Sequence, residues 1–134
     1  MEKNAIDIQI GGDHYKKLPY QPIELAAKLN LNGFQLFIIK YVTRYHDKAG
    51  KMDLEKAIHT AQLGVELNPK NFAFFPDSQD VMESVIEEVD LFCKTNKLSE
   101  TISEIVKDTI DQKWISIVYK VELLIKQEYP NGKD

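Results

Sequence analysis

Lys40 and Arg44 stand four residues apart, and Lys48 and Lys51 continue the positive track beyond them. On a helix this spacing puts Lys40 and Arg44 one turn apart on the same side. There an ammonium and a planar guanidinium fork can converge on one anion, a phosphate above all. Tyr41 and Tyr45 adjoin the pair and offer aromatic faces. The same residues also fit a solvated basic edge that pairs with Asp47 or Glu24, and surface pairs of that kind are common and weak. A second feature lies upstream in Gly11-Gly12-Asp13-His14-Tyr15. The glycines can expose backbone N–H groups to a phosphate, His14 can donate to it or exchange a proton near neutral pH, and Tyr15 can stack on a ring. An ordinary turn fits as well, with Asp13 bonding its own backbone and Tyr15 plugging the core. Asp53 reads as the cap of a helix, or as a magnesium ligand beside bound phosphates. His59, one turn from Glu55, reads as a solvent-facing histidine.

Several chemistries lack their signatures. No glycine pair at the phosphate-loop spacing precedes a Lys-Ser or Lys-Thr, and no CxxC, HExxH or nucleophile-elbow pattern occurs. No metal site is expected from these residues. The single cysteine, Cys93, rules out an internal disulfide and reads as a small core residue. The N-terminal residues lack a signal-peptide core, and no apolar run reaches the ~18 residues of a membrane helix, so a reducing, cytoplasmic location is expected.

The 134 residues, 43% hydrophobic and 28% charged, suit one domain with a real core. The formal charge of −4 argues against general nucleic-acid binding. Its distribution is uneven: residues 1–67 hold nine basic side chains against eight acidic, and residues 68–134 hold eight against thirteen. Anions should prefer the first half.

The elements that must carry these groups read as helices. Residues 4–20 look irregular, with alternation in Asp7-Ile8-Gln9-Ile10 broken by the two glycines. Pro22 fits the first position of a helix running to Leu29, with Glu24 favourable in its first turn. Phe34, Ile38, Tyr41 and Tyr45 then mark one face of a second helix, closed by a turn containing Gly50. A third spans Asp53 to Leu67, with Leu54, Ala57, Ile58, Ala61 and Val65 inward, and its strip of Ala57, Ala61 and Gly64 admits a close neighbour. Leu63 and Leu67 lie on its opposite side, which suggests a homo-oligomer. Phe72, Phe74 and Phe75 anchor a proline-containing loop. Asp77 or Ser78 can cap the next helix, which reaches Lys94 with Val81, Val85, Val89 and Phe92 inward. Thr101 and Glu104 have capping-box spacing for another. Trp114, Ile117, Val118, Val121, Leu124 and Ile125 form the stripe of a last helix that ends before Pro130 and Gly132. The expected fold is all-α: a compact bundle of five to six helices after an irregular, glycine-containing N-terminal segment.

Gly11–Tyr15, Gln21–Glu24, Ile39–Tyr45 and Lys48–Ala57 occur in an order that resembles a small domain family of tailed phages, over roughly residues 8–67. Most of that family has no known function, and a few members are described as nucleotide kinases without a Walker motif. The acidic half, 68–134, carries no such resemblance. The Lys40-Tyr41 to Arg44 and Gly50 to Ala57 stretches are also faintly similar to all-α nucleotide pyrophosphohydrolases of the MazG type. The first half lacks the acidic cluster those hydrolases use, so hydrolysis is not expected. The phage resemblance implies a site joining Gly11, Gly12, His14, Tyr15, Lys40, Tyr41, Arg44 and Lys51. It also implies a protein that works in the cytoplasm of an infected bacterium. Phosphoryl transfer needs charge neutralisation, usually by a metal, and two substrates in line. One anion site is evident and no second, so the expected activity is sequestration of a nucleotide or nucleotide-derived defence signal. A nucleoside monophosphate kinase using magnesium and a non-catalytic helical module are the alternatives.

Overall fold

Local signals set the helix ends. The computed structural model describes residues 4–7, 18–68 and 79–132, and among them six α-helices and two short 3-10 turns. Pro22 opens α1 (Pro22–Leu29), where its missing N–H costs nothing, and the Glu24 carboxylate accepts the Gln21 N–H at 2.8 Å. Asn30 ends that helix in the left-handed conformation. α2 (Gly33–Arg44) starts in a capping box: Asn32 Oδ1 accepts the Gln35 N–H and Gln35 Oε1 accepts the Asn32 N–H. The turn after α2 closes at Gly50, whose φ of 57° suits a residue without Cβ. α3 (Lys51–Leu67), α4 (Gln79–Thr95), α5 (Glu100–Ile110) and α6 (Trp114–Glu128) follow.

Helix contacts close a ring in which α2 packs on α3, α3 on α6, α6 on α5 and α5 on α2. α1 lies on α2, and α4 bridges α1 and α5. Leu25, Ile38, Ile39, Leu54, Phe92, Ile105, Ile117 and Val121 fill the core. The small-residue strip of α3 works as its composition predicts: Ala57 and Ala61 are buried, and Gly64 lies against the Trp114 indole of α6. A Cβ on Gly64 would come within 2.7 Å of that ring. Cys93 is a buried, unpaired core thiol, and His59 faces solvent.

Several expectations need correcting. α3 begins two residues early, at Lys51, so Asp53 is its third residue and not its cap. Ser99 caps α5, accepting the Ile102 N–H at 3.1 Å, so Thr101 lies inside the helix. Val65 is 39% exposed and Val81 43%, although both fall on the predicted inner stripes. Periodicity orients a residue toward a neighbouring helix; it does not say how far that neighbour extends. Leu67 is exposed as expected, whereas Leu63 is half-buried within the chain. Asp77, Ser78 and the three phenylalanines of the preceding loop lie outside the described residues. No helix among the described residues is long and apolar enough to cross a membrane.

Candidate functional site

α2 buries Gln35, Ile38, Ile39 and Val42, and this leaves Phe37, Lys40, Tyr41 and Arg44 on its outward side between α1 and α3. The capping box holds the start of α2, and the Gln35 amide donates to Thr109 O and Ile110 O at the end of α5. The outward face therefore stands on a fixed rod.

Arg44 is deeply engaged. Its Nε donates to Asp53 Oδ2 and its Nη2 to Asp53 Oδ1, both at 3.2 Å. The Arg44 side chain is only 11% exposed and that of Asp53 is fully buried. Asp53 Oδ2 also accepts the Ala49 N–H at 3.4 Å. The carboxylate thus binds the end of α2 to the start of α3, and the fork that could grip a phosphate bidentately presents that edge to Asp53. The guanidinium carbon lies 5.2 Å from the Tyr41 ring centroid, and Lys56 Nζ lies 5.9 Å from the same centroid. Tyr41 stacks on Phe37 at 6.4 Å and 23°, and Lys40 Nζ stands 5.8 Å from the Phe37 ring. These are cation–aromatic distances.

Lys40 also lines a hollow of about 200 Å³ with Gln21, Pro22, Ile23 and Leu36, between α1 and α2. Burial, followed by the nearby charges of Arg44 and Lys48, pushes the Lys40 ammonium below its ordinary pKa. Like charges held together in this way are relieved by an anion. A second hollow, about 320 Å³, is lined by Ile6, Asp7, Leu18, Pro19, Gln21 and Glu24 and shares Gln21 with the first.

Lys40, Tyr41 and Arg44 are therefore brought together. Lys51 Nζ donates to Gly132 O at 3.3 Å, beyond the end of α6. Gly11, Gly12, His14 and Tyr15 lie outside the described residues; Asp7 and Leu18, the described residues on either side, both line the second hollow. Two contributors were missed in the sequence. Phe37 is 48% exposed, and its position opposite the Ile38–Val42 face was the available signal. Lys56 reaches Tyr41 from α3, a contact no spacing within one helix reveals. Tyr45, read as an aromatic face for the site, is instead buried and donates its hydroxyl to Glu128 Oε2 at 2.5 Å. Burial and that carboxylate push its phenol pKa far up.

Residues 11–62 are similar to a family described as a protein of unknown function (DUF3310). No curated protein and no solved structure matches the chain.

Proposed function

We propose that the outward face of α2, with the flanking groups of α1 and α3, binds a phosphate-bearing nucleotide or nucleotide-derived signal and holds it without turnover. The observation that carries this reading is the Lys40 ammonium, 5.8 Å from the centroid of the exposed Phe37 ring and lining the hollow between α1 and α2. An ammonium group suits a phosphate, and the ring offers a face to a base, a combination that suits a ligand both aromatic and highly charged. Because Asp53 already neutralises Arg44, the exposed ammonium groups of Lys48 and Lys56 join Lys40 in facing a phosphate. Arg44 then serves the site chiefly by fixing α2 against α3. The resemblance to the tailed-phage family makes a nucleotide or nucleotide-derived signal of an infected cell the fitting ligand class; one anion site without a second makes sequestration the fitting action.

Calorimetric titration with ATP, inorganic tripolyphosphate and adenosine tests the reading. ATP and tripolyphosphate should bind and adenosine should not. Phe37→Ser should weaken ATP binding about 5- to 100-fold, the range for losing one stacked base, and leave tripolyphosphate nearly unchanged. Absence of ATP and tripolyphosphate binding at millimolar concentration would refute the site. Steady ADP formation from ATP, magnesium and a nucleoside monophosphate would replace sequestration by the kinase.

A further inference from the structure

The inner face of α4 extends past the described helices it packs on. Val89, Phe92 and Cys93 are buried against the core, yet Val81, Met82 and Ile86, on the same side one and two turns earlier, are 43%, 43% and 54% exposed. Val85 between them is half-buried. Such a cluster of exposed apolar groups on one helix face marks a contact surface. Its charge is one-sided: Asp80, Glu83, Glu87, Glu88 and Asp90 fall between Gln79 and Cys93, with no basic residue among them. Glu88 is held within the chain by Tyr20 and Lys28, whereas Asp80, Glu83 and Glu87 are exposed.

We infer that this overhanging end of α4 docks on the α2–α3 face of a second copy of the chain. Pairing of α4 with α4 would set the same carboxylates against each other. The α2–α3 face is the complement on both counts: Phe37 and Met52 are exposed apolar groups, and Lys48 and Lys56 are exposed cations, with Lys40 half-buried beside them. Apolar groups then meet apolar groups, and carboxylates meet ammonium groups. Two turns of helix bury little area, so the contact is weak and concentration-dependent. The contact is also head-to-tail: each copy offers one α4 end and one receiving face. One consequence rests on the nucleotide reading above, because the receiving face is the same as the proposed anion site. A docked α4 and a bound polyphosphate nucleotide exclude one another.

Light scattering on the full chain tests the contact. The mass should rise with concentration at about 10 mM salt and return to that of a monomer at about 500 mM, where the screening length is a few ångströms. Glu83→Ser with Ile86→Ser should abolish assembly from the α4 side, and Lys56→Glu with Met52→Glu from the other. All four positions are exposed, and thermal melts check that each variant folds; Met82→Ser and Lys48→Glu replace either that does not. Mixed together, the two assembly-dead variants should form a heterodimer that stops at one-to-one, because each retains the surface the other lacks. A wild-type chain that stays monomeric at low salt overturns the contact, and so does a mixture that fails to pair. ATP added to wild-type assemblies should dissolve them. ATP titrated into the α4 variant, whose receiving face is native, tests the nucleotide reading by itself. Binding there without loss of wild-type assembly overturns the exclusion alone.

Discussion

Replacing Arg44 by alanine should damage the fold before it damages any site. The Asp53 carboxylate is fully buried, and its partners are the Arg44 fork, with two contacts at 3.2 Å, and the Ala49 N–H at 3.4 Å. Arg44→Ala leaves that charge in the interior with one long hydrogen bond. Breaking a buried pair from one side costs about 3–5 kcal/mol, because the remaining ion has lost both water and its counter-ion. With an unfolding entropy of about 2.1 cal/mol/K per residue, this becomes a fall in Tm of roughly 10–18 °C for a chain of this size. Arg44→Lys should recover only part of the loss, since a point charge cannot engage both carboxylate oxygens. Arg44→Met combined with Asp53→Leu should recover more than half of it, because no unpaired charge remains. Differential scanning calorimetry on wild type, these three variants and the single changes Arg44→Met and Asp53→Leu decides the matter. A Tm within about 2 °C of wild type for Arg44→Ala would show that the pair does not hold α2 to α3, since the loss would then be within that of an ordinary surface change. So would a double variant as unstable as the sum of its singles.

Lys40 should behave in the opposite way. Lys40→Met should leave Tm unchanged or raised, because it removes a charge crowded by burial, Arg44 and Lys48, while tripolyphosphate affinity drops about tenfold. Its pH dependence has a definite sign. The folded-state pKa lies below the ordinary value of 10.5, so the unfolded chain binds more protons between the two values, and Lys40 contributes stability that rises with pH through that window. Melts from pH 8 to 10.5 should show wild type gaining on Lys40→Met; a constant difference would contradict this. Gly64→Ala should destabilise the chain by about 1–3 kcal/mol despite the better helix propensity of alanine, because the new methyl overlaps the Trp114 ring. Urea denaturation checks it, and a stabilised variant would mean that α3 and α6 separate more easily than their packing implies.

Much of the architecture can be read without coordinates, because short-range chemistry decides it. Pro22 can only open a helix, Gly50 suits a turn, and the stripe from Trp114 to Ile125 repeats at the helical period. The Ala57–Ala61–Gly64 strip announces a close neighbour, although only the fold shows that neighbour to be Trp114. The candidate site was half legible. Lys40, Tyr41 and Arg44 share one helix, so their spacing alone brings them together. What tertiary structure decided is how each group is used. Asp53 lies nine residues from Arg44 across a turn, and no periodicity links them; their pairing ties the end of α2 to the start of α3. Lys51, close to Lys48 in sequence, donates to Gly132 O beyond the end of α6, a contact that no spacing reveals. Phe37 and Lys56 meet at Tyr41 from different helices. The exposure of Val81 and Ile86 has the same origin: the sequence specifies an apolar face, and only the packed bundle determines where its cover ends.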